Sequence, residues 1–199
     1  MNRLYVYAVG IRTEPGSPKN WSWRAVRDTH LNTSYQAQTM EYYTPAIGRP
    51  FFNKQRAQRL LATVLPFVGR PLYMKIHSNA ADVLADSMRI QPFHIDVLHM
   101  IAPAVTADCS KNGINAMLAG GYVKKLHIWS GGNDWALKLG KTLIGRLWGY
   151  GALGLVRKPK NLAKGFDVTL RHEPDFGHET WFDEKNFDDT MRRFWEDEV

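Results

Sequence analysis

Six short runs of β-forming residues alternate with segments of helical periodicity along this chain. The strand-like runs cover residues 4–9, 38–43, 72–76, 95–101, 123–129 and 166–170, and the helical segments cover residues 21–31, 53–65, 81–89, 114–118, 135–147 and 182–195. Strands that alternate with helices favour a mainly parallel sheet with helices on both faces and right-handed crossovers. The order therefore predicts an α/β protein, a three-layer α/β/α sandwich of about six mainly parallel strands.

Length and composition limit the class of protein further. The chain has 199 residues, of which 44% are hydrophobic and 23% charged, so we expect one folded domain over residues 1–199. A single cysteine, Cys109, excludes an intramolecular disulfide framework and makes the cytoplasm the default location. The apolar run at residues 4–9 is too short for a signal peptide, and no later segment is apolar over about 18 residues, so no transmembrane segment is expected.

The net charge of +7 is distributed unevenly. Residues 135–165 contain no acidic residue but carry seven basic ones, namely Lys138, Lys141, Arg146, Arg157, Lys158, Lys160 and Lys164. Such a segment can attract phosphate-bearing partners or an anionic membrane surface, although most charge runs are solvated faces. We expect no nucleic-acid partner because no nucleic-acid motif is present. Peripheral membrane contact and the oligomeric state stay open.

A serine stands where a strand runs directly into a helix. The pentapeptide Ile76-His77-Ser78-Asn79-Ala80 joins the run at 72–76 to the helical segment at 81–89. The following helix directs free N–H groups and the positive end of its dipole at the turn, where an oxyanion would develop. Ser78 is therefore a candidate nucleophile for acyl transfer. The alternative is a helix N-cap, a role that serine often fills.

An acid and a histidine follow two later strands. Asp134 comes after the run at 123–129, and His178 lies in a turn after the run at 166–170. Because sites gather at the carboxyl ends of parallel strands, both can converge with Ser78. The imidazole would take the serine proton as general base, and the carboxylate would orient the ring.

Each of these assignments has an alternative. Asp134 could be only the N-cap of the helix at 135–147, and His178 could be a surface turn residue. His172 also follows the last strand, and Asp108 follows the fourth strand. These two residues are the rival histidine and the rival acid.

The chain order of serine, acid and histidine, in this strand–turn–helix context, resembles the α/β-hydrolase superfamily, whose nucleophile elbow reads G-x-S-x-G. The resemblance covers about residues 3–195 and implies a minimal α/β-hydrolase fold with the strands at 38–43 and 166–170 at the two edges. Ala80 supplies a small residue after the serine. Ile76 stands where the family usually has glycine.

The resemblance also implies roles for individual residues. Ser78, Asp134 and His178 match the catalytic triad of the family. Its oxyanion hole would be formed by two backbone N–H groups, one from Asn79 and one from Ile11 in the loop after the first strand.

These observations predict a serine hydrolase that cleaves a carboxylic ester, of a small acyl compound or a lipid, through an acyl-enzyme intermediate. We expect no cofactor and no metal, because none of the seven histidines has a metal-ligand spacing. One alternative is a catalytically inactive binding protein of the same fold, in which Ile76 obstructs the elbow. Another is a polyanion binder that uses residues 138–164.

Overall fold

The computed structural model describes residues 3–10, 20–42, 49–140, 142 and 151–198. Six strands form one sheet: β1 (Leu4–Ala8), β2 (Gln36–Met40), β3 (Leu72–His77), β4 (Ile95–Ile101), β5 (Val123–Gly131) and β6 (Asp167–Glu173). Their order is β2-β1-β3-β4-β5-β6, and every neighbouring pair is parallel. The predicted six-stranded sheet is confirmed, with the second and the last strand at its edges.

Helices cover both faces of this sheet. They are α1 (Trp21–Asn32), α2 (Arg49–Val64), α3 (Ala80–Ile90), α4 (Ile114–Ala119), α5 (Trp135–Gly140) and α6 (Glu184–Glu196). Apolar side chains of α2, α3 and α4 pack on one face, and those of α1 and α6 pack on the other. The helix predicted for residues 135–147 is described as far as Gly140, and most of its remainder lies outside the described residues. The three-layer α/β/α architecture is confirmed.

Alternation along β1 shows how the two faces divide the core. Leu4 and Val6 belong to the cluster under α2 and α3, whereas Tyr5 and Tyr7 belong to the aromatic cluster under α1 and α6. Successive side chains of a strand point to opposite faces, and both faces are covered here. The whole strand is therefore buried, as is usual in parallel sheets.

The sheet face under α1 and α6, which we call the aromatic face, also contains buried charged side chains. Lys75 in the middle of β3 is fully buried and forms an ion pair with Glu198, just beyond α6. The Tyr5 hydroxyl donates to the same carboxylate at 2.7 Å, and the Lys75 ammonium lies 4.4 Å from the centre of the Tyr5 ring. Burial lowers the pKa of Lys75, and these contacts offset part of the desolvation cost.

Two histidines and a second ion pair adjoin Lys75. His99 and His127 occupy matching positions on β4 and β5, with ring centres 4.6 Å apart and ring planes at 14°. Asp197 approaches both rings, at 3.9 Å from His99 Nδ1 and 3.5 Å from His127 Nδ1, and it pairs with Arg171 at 2.5 Å. We call these six residues, Lys75, His99, His127, Arg171, Asp197 and Glu198, the buried ionic cluster.

In the part of the chain that the structure describes, no helix combines the length and the apolar character needed to cross a membrane.

Candidate active site

Ser78 occupies a strained turn between β3 and α3. Its φ is +56°, in the left-handed region that residues other than glycine rarely adopt. Its N–H donates to the carbonyl of Ile101 at 3.0 Å, and its carbonyl accepts from the N–H of Ala104 at 3.1 Å. Such strain costs on the order of 1–3 kcal/mol and persists where the surroundings enforce it. The N-cap of α3 is Asn79, so the interpretation of Ser78 as a helix cap is wrong.

Ile76 does not crowd the serine. It lies two positions earlier in β3, is 1% exposed, and belongs to the apolar cluster that contains Met74 and Ala80. Alternation along the strand sends His77 to the opposite, aromatic face. The isoleucine at the usual glycine position of the motif is therefore accommodated in the core beneath the neighbouring helices.

Gly10 brings the loop after β1 directly against Ser78. A Cβ atom at this position would lie 2.8 Å from Ser78 Cβ and 3.3 Å from both Ser78 Oγ and His77 Nδ1. Only a glycine therefore fits here without displacing the serine. Ile11, the predicted second oxyanion donor, comes next but lies outside the described residues. Asn79, the predicted first donor, makes no hydrogen bond through its N–H within the described ranges.

We expect Gly10→Ala to lower the free energy of unfolding by about 1–3 kcal/mol, because the added methyl group overpacks the turn. Urea unfolding of a double-mutant cycle with Ser78→Gly tests the cause. Ser78→Gly removes the Cβ and Oγ atoms that the new methyl group would meet, so most of the cost should disappear in that background. An equal cost in both backgrounds would show that the contact with Ser78 is not responsible.

Asp134 makes two contacts from the end of β5. It is fully buried, and its Oδ1 accepts the N–H of Leu137 at 2.9 Å in the first turn of α5. Its Oδ2 lies 2.6 Å from His178 Nδ1. The predicted N-cap and the predicted contact with His178 are therefore both present. Because a carboxylate only accepts, the neutral form of the His178 ring carries its hydrogen on Nδ1, which leaves the lone pair on Nε2.

The loop that carries His178 rests on the turn after β5. The N–H of Asn133 donates to the carbonyl of Phe176 at 3.1 Å. A Cβ at Gly131 would lie 2.3 Å from that same carbonyl oxygen. The glycine thus permits the close approach that brings His178 to Asp134.

His77 links this loop to the serine turn. Its Nε2 lies 3.1 Å from the carbonyl oxygen of His178, and the two ring centres are 4.7 Å apart. His178 therefore lies beside the residue that precedes Ser78. Within the described ranges no hydrogen bond joins Ser78 Oγ to the His178 ring, and such contacts are often long before a ligand binds.

The rival residues have other partners. His172 Nδ1 and Ser130 Oγ form a hydrogen bond of 2.8 Å. Asp108 accepts hydrogen bonds from Ser110 and Asn161 near its own loop. The structure thus brings together Asp134, His178 and the Ser78 turn.

Two groups of potential metal ligands escaped the sequence analysis, because their members lie far apart in the chain. They are His77, His178 and Glu179, and His99, His127 and Asp197. In the first group, one nitrogen of each ring takes part in a hydrogen bond, and the other nitrogen is left as a possible ligand. In the second, the rings of His99 and His127 stack face to face at 14°.

No protein-family model and no curated protein matches this sequence. Solved structures match it. A YdeN-like hydrolase from Pectobacterium atrosepticum has 14% identity and a TM-score of 0.57, covering 99% of this chain and 91% of that one. A hydrolase of the α/β superfamily from Xanthomonas campestris has 15% identity and a TM-score of 0.57, covering 97% and 96%. Carboxyl esterase 2 from Tuber melanosporum has 12% identity and a TM-score of 0.53, covering 97% and 77%.

The chain has the α/β-hydrolase fold. At such low identity the likeness establishes the fold alone, because one fold serves many activities. In this α/β-hydrolase fold, Ser78, Asp134 and His178 follow the carboxyl ends of β3, β5 and β6. The chemistry has to be argued from these residues.

Proposed function

We propose that this protein is a serine hydrolase that cleaves a carboxylic ester, of a small acyl compound or a lipid, with Ser78, His178 and Asp134 as its triad. One observation carries the proposal. The His178–Asp134 hydrogen bond of 2.6 Å lies beside His77, the residue that directly precedes a serine whose φ is +56°. A strained serine next to an oriented imidazole is the arrangement that nucleophilic catalysis requires.

The reaction would proceed in two stages. Ser78 Oγ attacks the acyl carbon while His178 Nε2 takes the hydroxyl proton, and the carbonyl π electrons move to the oxygen. The tetrahedral intermediate then expels the alcohol, which receives the proton from His178. Water attacks the acyl-enzyme with the same proton transfers, releasing the acid and restoring Ser78. Asp134 stabilises the imidazolium in both stages.

Backbone N–H groups would stabilise the oxyanion. The N–H of Asn79 has no partner within the described residues and stands at the start of α3, which supports the predicted role. Ile11 is the proposed second donor, and the close approach of Gly10 to Ser78 is compatible with it. One such donor contributes about 2.7–4 kcal/mol to transition-state stabilisation.

Two further observations favour an enzyme over an inactive binding protein. The alternative depended on obstruction by Ile76, which packs in the core instead. The solved structures with the same fold include proteins named as hydrolases and one named as a carboxyl esterase, a class that fits a small-molecule substrate.

A fluorophosphonate probe tests the proposal. The folded protein should gain the mass of one phosphonyl group, peptide mapping should locate it on Ser78, and p-nitrophenyl acetate should be turned over. Ser78→Ala should abolish labelling. Ser130→Ala, at the end of β5 and bonded to His172, is the matched control and should label normally. Absence of labelling on the folded chain, or labelling at another residue, would refute the proposal.

A further inference from the structure

His77 is the link between the serine turn and the loop that carries His178. It is the last residue of β3 and directly precedes Ser78, and its side chain is 2% exposed. The rings of Trp21 and Phe182 meet it edge-on, with centres 6.5 and 5.3 Å away. The ring is therefore fixed by packing on two sides, and it also lies beside His178.

The hydrogen-bond partner of His77 determines its tautomer. A carbonyl oxygen can only accept, so the 3.1 Å contact with the carbonyl of His178 requires a hydrogen on His77 Nε2. Burial lowers the pKa of His77 to about 3. The ring accordingly stays neutral near pH 7, with Nε2–H as donor and Nδ1 turned towards Gly10.

The loop of His178 is attached on its other side to the turn after β5, through Asn133. Asp134, in that same turn, binds the ring of His178. Without His77, the described contacts would tie His178 to β5 but not to β3, where Ser78 stands. The distance between the imidazole and the serine would then depend on the loop alone.

We infer that His77 is a positioning residue, which holds the backbone of His178 against the serine turn through its Nε2–H group. The inference rests on the proposed function, since it assigns His178 the role of general base. A misplacement of about 1 Å in such a group can slow a reaction about 10²-fold. The packing of His77 thereby serves the geometry of the reacting groups as well as the core.

Two substitutions separate the hydrogen bond from the packing. In His77→Gln the amide nitrogen can reach the place of Nε2 and keep the donor. In His77→Asn the shorter side chain cannot reach the carbonyl of His178. We expect the Gln variant to keep most of the fluorophosphonate labelling rate, and the Asn variant to label about 10²-fold more slowly. Thermal unfolding checks that both variants are folded.

Nitrogen NMR supplies a readout that stability alone does not change. In the unsubstituted protein, the ¹⁵N shifts of His77 should identify a neutral ring with its hydrogen on Nε2. The Nδ1–H signal of His178 should be sharp in this protein and in the Gln variant, and it should exchange faster with water in the Asn variant. These spectra decide the inference even if Ser78 proves unreactive, which would refute the proposed function separately.

Three results would overturn the inference: a hydrogen on Nδ1 of His77, an Asn variant that labels as fast as the unsubstituted protein, or folded Gln and Asn variants with equal losses. The last result would mean that the donor is not what matters.

Discussion

Asp134→Asn should lower the turnover of an ester substrate about 10⁴-fold without unfolding the protein. Asparagine keeps an oxygen that can accept the N–H of Leu137, which Asp134 Oδ1 now accepts at 2.9 Å, and asparagine is as good an N-cap as aspartate. Its amide N–H₂ would then face His178 Nδ1 and force the ring hydrogen onto Nε2. In that tautomer the ring cannot take the proton of Ser78. Steady-state kinetics on p-nitrophenyl acetate and thermal unfolding together test this expectation.

Two control variants sharpen that experiment. Asp134→Ala removes the cap as well and should cost about 0.5–2 kcal/mol of stability in addition to activity. Asp108→Asn changes the rival acid, whose contacts are with Ser110 and Asn161, and should leave turnover unchanged. If Asp108→Asn loses activity and Asp134→Asn retains it, the assignment of the acid is wrong.

The free energy of unfolding should fall steeply as the pH drops below 6.5. Burial is the main cause of three lowered histidine pKa values. The pKa of His77 falls to about 3, the pKa of His99 falls well below its usual value of 6.5, and the pKa of His127 also falls below 6.5. At a pH between the folded and the unfolded pKa of such a histidine, the unfolded chain binds more protons than the folded chain. The contribution of its neutral ring to the free energy of unfolding is therefore fully present above pH 6.5 and is lost as the pH falls towards the folded pKa. A histidine whose folded pKa lies far below 6.5 contributes a slope of about 1.4 kcal/mol per pH unit, so His77 and His99 together contribute about 3, and His127 adds to the slope in the same direction. A typical domain stability of about 5–15 kcal/mol would be exhausted within a few pH units.

Urea unfolding followed by tryptophan fluorescence over a pH series measures this slope. The double variant His99→Leu/His127→Leu lacks two of the three groups, so its slope should fall to about 1.4 kcal/mol per pH unit. His94→Gln changes an exposed histidine and should leave the slope unchanged. A stability that stays level below pH 6.5 in the unsubstituted protein would contradict the assignment of the buried neutral rings.

The sequence predicted the strands well in the interior of the sheet and less well at its edges. Periodicity identified β4 with both of its ends correct. β6 continues past Leu170 to Glu173, because Arg171, His172 and Glu173 pair with β5. A polar stretch becomes a strand there through hydrogen bonds to a neighbour that local propensity does not reveal.

The candidate site was predictable to the extent that it depends on topology. Ser78, Asp134 and His178 each follow a strand, and parallel strands place such residues at one edge. The bond from His77 to the carbonyl of His178 was not predictable, because it joins positions 101 residues apart. The ion pair of Lys75 and Glu198 spans 123 residues and contradicts the usual exposure of both residue types.

The buried ionic cluster has a consequence for how the chain completes its folding during synthesis. Residues 197 and 198 are made after all six strands, yet Glu198 binds Lys75 and also Tyr5, which lies 193 positions earlier. Until Glu198 has been made, the Lys75 ammonium lacks the carboxylate with which it pairs in the folded protein. Contacts of such long range slow folding, so we expect the sheet to close only after translation has passed residue 198.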